Sequence, residues 1–190
     1  MAIRSYLRKD PIIHEAAYID TAAVVIGQVR IGAQSSLWPM VVARGDVNHI
    51  EIGARTNIQD GSILHVTHDG PYSPGGLPLL IGDDVTVGHN VTLHACTVES
   101  ACLIGMGAVV LDGSVIGSDT IIGAGSLVPP GKQLESGYLW LGSPVKRIRS
   151  LSSTEKESIR YSAQHYVKLA DNHRGEVVES ADDILPETHE

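Results

Sequence analysis

The sequence predicts a mainly β fold, a parallel β-helix followed by a C-terminal α-helix. The first observation is an aliphatic residue at every sixth position, as at Ile81, Val87 and Leu93. A period of six belongs to neither an α-helix nor an ordinary strand, and is typical of a triangular solenoid whose coils each contain three hexapeptides. The second is composition: Phe is absent and aromatic residues make up 4% of the chain, so an aliphatic core must fill a narrow interior. The third is a change to a helical period after residue 144.

Three segments follow in order: an N-terminal lead-in over residues 1–12, the β-helix over 13–144, and a C-terminal segment over 145–190. Residues 44–49 interrupt the period, and a Gly/Pro-rich loop over 66–80 is inserted into it. Pro129-Pro-Gly131 is expected to close the solenoid. The predicted inward residues are Ile13, Ile19, Val25, Ile31, Leu37, Ile52, Ile58, Leu64, Ile81, Val87, Leu93, Val98, Ile104, Val110, Ile116, Ile122 and Val128.

The C-terminal segment predicts a helix over about 154–173, followed by an acidic tail that we expect to be poorly ordered. A capping box could be formed by Thr154 with Glu157, or by Ser152 with Glu155. Gly175 is the predicted end of this helix. One helical face is apolar, with Ile159, Ala163, Tyr166, Val167 and Ala170.

Composition excludes several classes of function. The formal net charge of −8 argues against binding to nucleic acid or to an anionic membrane surface. No apolar run approaches the roughly 20 residues that span a bilayer, and the N-terminus lacks the apolar region of a secretory signal. Cys96 and Cys102 form no zinc-type motif and are expected to be reduced and buried. A cytoplasmic protein fits these features.

Two of the nine histidines are predicted to stack. If Leu64 and Ile81 are consecutive inward positions, the step between them is one hexad plus an insertion of eleven. Removing that insertion from the step between His65 and His94 leaves three hexads, which make one full coil. His89 lies shortly before His94, on another part of the triangle, so only a second copy of the chain could bring it to the pair.

Three imidazoles with an open fourth position are typical of a catalytic Zn²⁺-type site, and they suit Fe²⁺ or Co²⁺ as well. The alternative is that Asn- and His-rich corners simply cap turns of the solenoid.

Several motifs resemble the γ-class carbonic anhydrase family, in order from about Ile13 to Val167. They are Arg44-Gly-Asp46, Thr56-Asn-Ile-Gln59-Asp60-Gly, Leu64-His65-Val, Val87-Gly-His89-Asn, Leu93-His94-Ala-Cys, Ile104-Gly-Met-Gly-Ala, Ile122-Gly-Ala-Gly-Ser-Leu-Val-Pro and Gly137-Tyr-Leu-Trp-Leu-Gly-Ser-Pro144. The resemblance implies a left-handed β-helix and a homotrimer with three metal sites between subunits. It implies reversible hydration of CO₂ to bicarbonate by a metal-bound hydroxide. His65 and His94 would come from one chain and His89 from its neighbour.

The resemblance also implies roles for five other residues. Gln59 would bond the metal-bound water or bicarbonate, and Tyr166 would lie near the site. Arg44, Asp46 and Asp60 would form an ionic network at the subunit boundary. For these three the alternative is a structural salt bridge, and for Gln59 it is a hydrogen bond at a solenoid corner.

The chain departs from the family pattern at the proton exit. Well-studied active members carry a glutamate shuttle where this chain has Val47, and an acidic loop where it has Thr67, His68 and Asp69. Hydration needs such an exit, and His49, His68 or Tyr166 could replace it.

Two other functions therefore stay open. The chain could be a weakly active or inactive metal-binding trimer with a role in binding or assembly. It could also be a hexapeptide-repeat acyltransferase that uses one histidine as a general base.

Overall fold

A computed structural model describes residues 2–175 of the chain. Within this range it contains twenty β-strands and one α-helix. They are β1 (Ala2–Arg4), β2 (Ile12–Ile13), β3 (Tyr18–Ile19), β4 (Val24–Ile31), β5 (Ser36–Leu37), β6 (Val42–Ile52), β7 (Asn57–Ile58), β8 (Ile63–His65), β9 (Leu79–Ile81), β10 (Thr86–Val87), β11 (Thr92–His94), β12 (Thr97–Val98), β13 (Leu103–Ile104), β14 (Val109–Val110), β15 (Val115–Ile116), β16 (Ile121–Ile122), β17 (Leu127–Val128), β18 (Gln133–Leu134), β19 (Tyr138–Gly142), β20 (Val145–Ser150) and α1 (Ser153–Arg174).

The strands stack in parallel as the three faces of a prism, which confirms the predicted β-helix with a C-terminal helix. Face 1 contains β8, β11, β14 and β17, and face 2 contains β9, β12, β15 and β18. Face 3 contains β3, β5, β7, β10, β13, β16 and β19. The long strands β4 and β6 pass through the corner between faces 1 and 2 and join those faces into one sheet.

The inward row is aliphatic and is buried from Val25 to Val128, as the period predicts, while Ile13 and Ile19 are partly buried. Leu64 and Leu93 pair across neighbouring coils, and neither is exposed to solvent. Burying one such side chain stabilises the fold by about 1.5–3 kcal/mol. The free thiols of Cys96 and Cys102 are also buried in the core.

We expected the solenoid to close at Pro129-Pro-Gly131, but it continues beyond this segment. Leu134 and Trp140 are further inward residues, and their strands β18 and β19 continue faces 2 and 3. Pro129 directly follows β17, the edge strand of face 1. No further strand of face 1 lies beyond β17 in residues 2–175, so the N–H that proline lacks is not needed for strand pairing. Strand β20 ends the solenoid by pairing antiparallel with β19.

Two irregularities, a bulge and an inserted loop, lie at the corner between faces 1 and 2. Gly27 pairs with Gly45 at a spacing of one regular coil, but Val29 pairs with Ile50 at a longer spacing, so β6 contains a bulge. The step from Ile52 to its partner Ile81 is one regular coil plus the predicted insertion. The N-terminal lead-in also joins the prism, because β1 pairs with β4.

Helix α1 packs against face 3 and extends one residue beyond the predicted range at each end. Ser152 and Glu155 form the capping box, so the second of the two candidate boxes is present. Gly175 ends the helix in the left-handed conformation at φ 77°. Ile159, Ala163 and Ala170 are its buried residues. The predicted acidic tail from residue 176 lies outside the described residues. Between residues 2 and 175, no helix combines the length and the apolar character needed to cross a membrane.

Candidate metal centre

His65 and His94 stack at the end of face 1 that adjoins face 2. They occupy the same register position on β8 and β11, as the residue count predicts. Their side chains point outward, because the preceding residues Leu64 and Leu93 point inward. Nδ1 of His65 lies 3.1 Å from Nε2 of His94. The two rings therefore turn one nitrogen each toward a common point.

The bulge in β6 brings a carboxylate to the back of His65. Oδ1 of Asp46 lies 3.1 Å from Nε2 of His65, and Oδ2 lies 2.5 Å from Nη1 of Arg44. Burial acts to raise the pKa of Asp46, but the hydrogen bonds from Arg44 and His65 outweigh it and hold that pKa below its usual range. Asp46 is therefore ionised at neutral pH.

A second carboxylate, which the sequence analysis did not single out, lies behind His94. Oδ1 of Asp112 is 2.6 Å from Nδ1 of His94, and its other oxygen accepts a hydrogen bond from the Thr67 hydroxyl. Burial acts to raise the pKa of Asp112, but these two hydrogen bonds lower it overall. Residues of β11 pair with residues of β14 one coil later, and this register carries His94 to Leu111. Counting one coil beyond His94 in the sequence could therefore have indicated Asp112, the neighbour of Leu111.

The donor set fits a metal ion. An ionised carboxylate only accepts hydrogen bonds, so Asp46 and Asp112 each accept a hydrogen bond from the N–H group of their imidazole. The proton of each neutral ring is then on that nitrogen, and the two facing nitrogens keep their lone pairs. Burial lowers the pKa of His65 and favours its neutral form. Two lone pairs at 3.1 Å repel each other unless a cation lies between them. Two nitrogen ligands of a tetrahedral Zn²⁺ at about 2.0–2.1 Å lie roughly 3.4 Å apart, which is close to the observed distance.

His89 lies at the other side of face 1, in the corner between β10 and β11. Its Nδ1 is 2.9 Å from Oδ2 of Asp60, which occupies the same corner one coil earlier. Over residues 2–175, no three His, Cys, Asp or Glu side chains are grouped closely enough to hold a metal ion. A single chain therefore does not bring His89 to the histidine pair.

Gln59 and Tyr166 lie on the same side as His89. Gln59 follows β7 and is buried on face 3, where Nε2 donates to Oδ1 of Asn57 at 3.1 Å. Tyr166 on α1 packs edge-on against Trp38, with ring centroids 5.6 Å apart. Burial, and then the charge of Asp60, raises the pKa of Tyr166, so its phenol is protonated at neutral pH.

The candidate residues thus form two groups on opposite sides of face 1. We call Arg44, Asp46, His65, His94 and Asp112 the pair cluster, and Gln59, Asp60, His89 and Tyr166 the corner cluster. Within one chain Asp60 pairs with His89, and Arg44 pairs with Asp46. Within residues 2–175 of one chain, Asp60 therefore lies apart from the pair of Arg44 and Asp46, and the network at the subunit boundary stays a prediction.

Two of the residues considered for proton exit, His49 and His68, lie near the pair cluster, whereas Tyr166 belongs to the corner cluster. Val47 is exposed beside Asp46, and Nδ1 of His49 lies 3.0 Å from Oδ1 of Asn48. His68 is exposed and lines a cavity of about 290 Å³ together with Thr67, Tyr72 and Asp112.

Comparisons with known proteins agree with the hexapeptide repeat. Residues 95–130 match the family described as Bacterial transferase hexapeptide (six repeats). Protein YrdA of Escherichia coli (strain K12) is 57% identical over 90% of this chain and 93% of its own length. Gamma carbonic anhydrase 2, mitochondrial, of Arabidopsis thaliana is 43% identical over 93% of this chain and 63% of its own. A Methanocaldococcus jannaschii protein named "Probable carbonic anhydrase" is 40% identical over 84% of this chain and 96% of its own.

Proposed function

Because the chain belongs to the γ-carbonic-anhydrase-like family of hexapeptide-repeat proteins, we propose that it is a metal-dependent enzyme for the reversible hydration of CO₂ to bicarbonate. The observation that carries the proposal is the pair of imidazole nitrogens that face each other at 3.1 Å. Each ring already has a carboxylate at its other nitrogen, so the facing nitrogens are free to bind a cation.

His65 and His94 of one copy and His89 of a second copy would hold the ion. Three neutral imidazoles suit Zn²⁺, Fe²⁺ and Co²⁺. Such an ion supplies Lewis-acid chemistry, lowering the pKa of a water to about 7 so that it can attack carbon. Asp46 and Asp112 orient their imidazoles, and Asp60 does the same for His89.

The corner cluster would supply the groups that receive the substrate. The Gln59 amide can donate to an oxygen of bicarbonate and accept from water. The Tyr166 hydroxyl, protonated at neutral pH, can donate to the same oxygen. The Arg44 side chain is 44% exposed while it binds Asp46, so it can also contact a second copy.

The outward surface of face 1 supports a homotrimer. Val42, Ile63, Thr92, Val109 and Leu127 form one continuous outward ladder beside the histidine pair. Ile63 is 41% exposed in the single chain. A flat, largely apolar strip of this kind is stabilised when a second copy covers it. Three copies around one axis would place each corner cluster against a neighbour's pair cluster and form three sites.

The test is stopped-flow CO₂ hydration by protein that is purified without oxygen and assayed for metal. We expect activity that follows metal content and disappears on chelation. Metal-replete protein with no hydration at any buffer concentration would contradict the enzyme and favour a metal-binding trimer that acts in binding or assembly. Coenzyme A binding by protein without metal would favour acyl transfer, the activity suggested by the name of the family matched over residues 95–130.

A further inference from the structure

Asp112 connects the candidate ligand His94 to the inserted loop. It follows β14 at the corner between faces 1 and 2, one coil beyond His94. Its two carboxylate oxygens have different partners: Oδ1 is 2.6 Å from Nδ1 of His94, and Oδ2 accepts a hydrogen bond from the Thr67 hydroxyl. Thr67 lies just after His65, at the start of the loop. One carboxylate thus joins two coils and the loop.

The loop holds Thr67 firmly in place. Thr67 and Leu77 exchange two backbone hydrogen bonds of 3.0 Å, which close the loop at its base. The Thr67 carbonyl also accepts from Nδ2 of Asn48 in the β6 bulge at 3.2 Å. Gly76 packs tightly against this junction: an added Cβ would lie 2.6 Å from the Thr67 carbonyl oxygen. Its φ of 65° also favours glycine. The position of the Thr67 hydroxyl therefore follows from the fold of the loop.

We infer that Asp112 is a positioning residue for His94, held in place by the inserted loop through the Thr67 hydroxyl. Asp112 keeps the proton of His94 on Nδ1 and so leaves the lone pair of Nε2 directed toward His65. The inference rests on the proposed function, because it concerns the same metal site. It adds two residues, Asp112 and Thr67, and assigns the inserted loop a role in metal affinity.

A purely structural role for Asp112 makes a different prediction from a positioning role. Asn has the same shape as Asp and would fill the same space. Its NH₂ group, however, can donate to Nδ1 of His94, which moves the imidazole proton to Nε2 and blocks the ligand position. Thr67→Val likewise keeps the shape and removes only the hydroxyl, and Thr67→Ser restores the hydroxyl.

The experiment titrates Co²⁺ into full-length metal-free protein and records both the affinity and the visible spectrum of bound Co²⁺. The variants are Asp112→Asn, Thr67→Val and Thr67→Ser. Glu99→Gln is the matched control, since Glu99 also accepts two hydrogen bonds across coils, both from Ser118, away from the pair cluster. Circular dichroism and light scattering check folding and assembly of each protein.

We expect Asp112→Asn to weaken Co²⁺ binding by about 10–100-fold and to alter the spectrum, as loss of such a partner typically does. Thr67→Val should show a smaller loss, while Thr67→Ser and Glu99→Gln should match the parent protein. Unchanged affinity and spectrum in Asp112→Asn would overturn the inference. If Asp112→Asn fails to fold, equal affinity and spectra for Thr67→Val and Thr67→Ser would overturn it. Failure of the parent protein to bind Co²⁺ would instead refute the proposed function itself.

Discussion

Each of the three candidate metal ligands has an aspartate at one ring nitrogen. Asp46 lies behind His65, Asp112 behind His94 and Asp60 beside His89. Because each aspartate accepts a hydrogen bond from one ring N–H, the other nitrogen of each neutral imidazole keeps its lone pair. This repeated pairing supports the proposal that the three histidines are metal ligands rather than residues that cap turns.

At the residue scale, His65→Ala should remove one of three ligands and reduce bound metal strongly. The aliphatic core does not include His65, so thermal unfolding should change little. Metal analysis together with circular dichroism measures both effects, and His165→Ala on the exposed face of α1 is the control. Unchanged metal content in His65→Ala would show that this histidine is only a corner residue.

Val47 leads to a second prediction at this scale, concerning proton transfer. Val47 is 44% exposed and has no titratable group, so proton export would depend on buffer or on neighbours such as His49 and His68. A small, concentrated buffer should accelerate CO₂ hydration, and Val47→Glu should reduce that dependence. A general acid–base group contributes about 10²–10⁴-fold, so the change should be measurable. A parent protein whose rate is independent of buffer would contradict this prediction.

At the scale of elements, the sequence predicted the strands and the helix that follow from local patterns, namely the period of six and the helix caps. The period of six and the counted insertion placed His65 on His94, and capping chemistry placed both ends of α1. It did not predict β20 or the continuation past Pro129, because antiparallel pairing and edge position depend on the finished prism. The one-coil count, carried on from His94, leads to the neighbour of Asp112, but the contact of Asp112 with Thr67 depends on the fold of the inserted loop.

The capping box of α1 leads to a prediction about pH. Hydrogen bonds from Arg149, and then from Ser152, lower the pKa of Glu155 from 4.5 to about 2. A carboxylate with a depressed pKa stabilises the fold above its unfolded pKa, and this stabilisation is lost as pH falls through the folded pKa. The difference in urea midpoint between parent and Glu155→Gln should be constant from pH 6 to 8 and shrink below about pH 4.5.

Glu157→Gln, which removes a carboxylate of the same helix outside the capping box, is the matched control. A difference between the parent and Glu155→Gln that is independent of pH from 7 to 3 would contradict the role of the ionised carboxylate.

At the scale of the whole molecule, one chain carries the two halves of a site on opposite sides of face 1. Val109 lies in the outward ladder between them. Val109→Asp should place a charge in the contact between copies, dissociate the assembly and release metal, while the single chain stays folded. Light scattering, metal analysis and circular dichroism measure these effects.

Val115→Asp is the matched control, because Val115 precedes an inward residue on face 2 as Val109 does on face 1. Equal assembly of the two variants would show that face 1 is not the contact surface.

The most direct test of the shared site is to refold His65→Ala and His89→Ala together in equal amounts. Each variant alone should assemble without metal, because every site in it lacks one ligand. In mixed trimers, one site of three combines an intact pair with an intact His89, so the mixture should recover about one quarter of the parent's metal. Mixed assemblies that recover no metal, or a monomer of the parent chain that holds one full equivalent, would contradict a site built between copies.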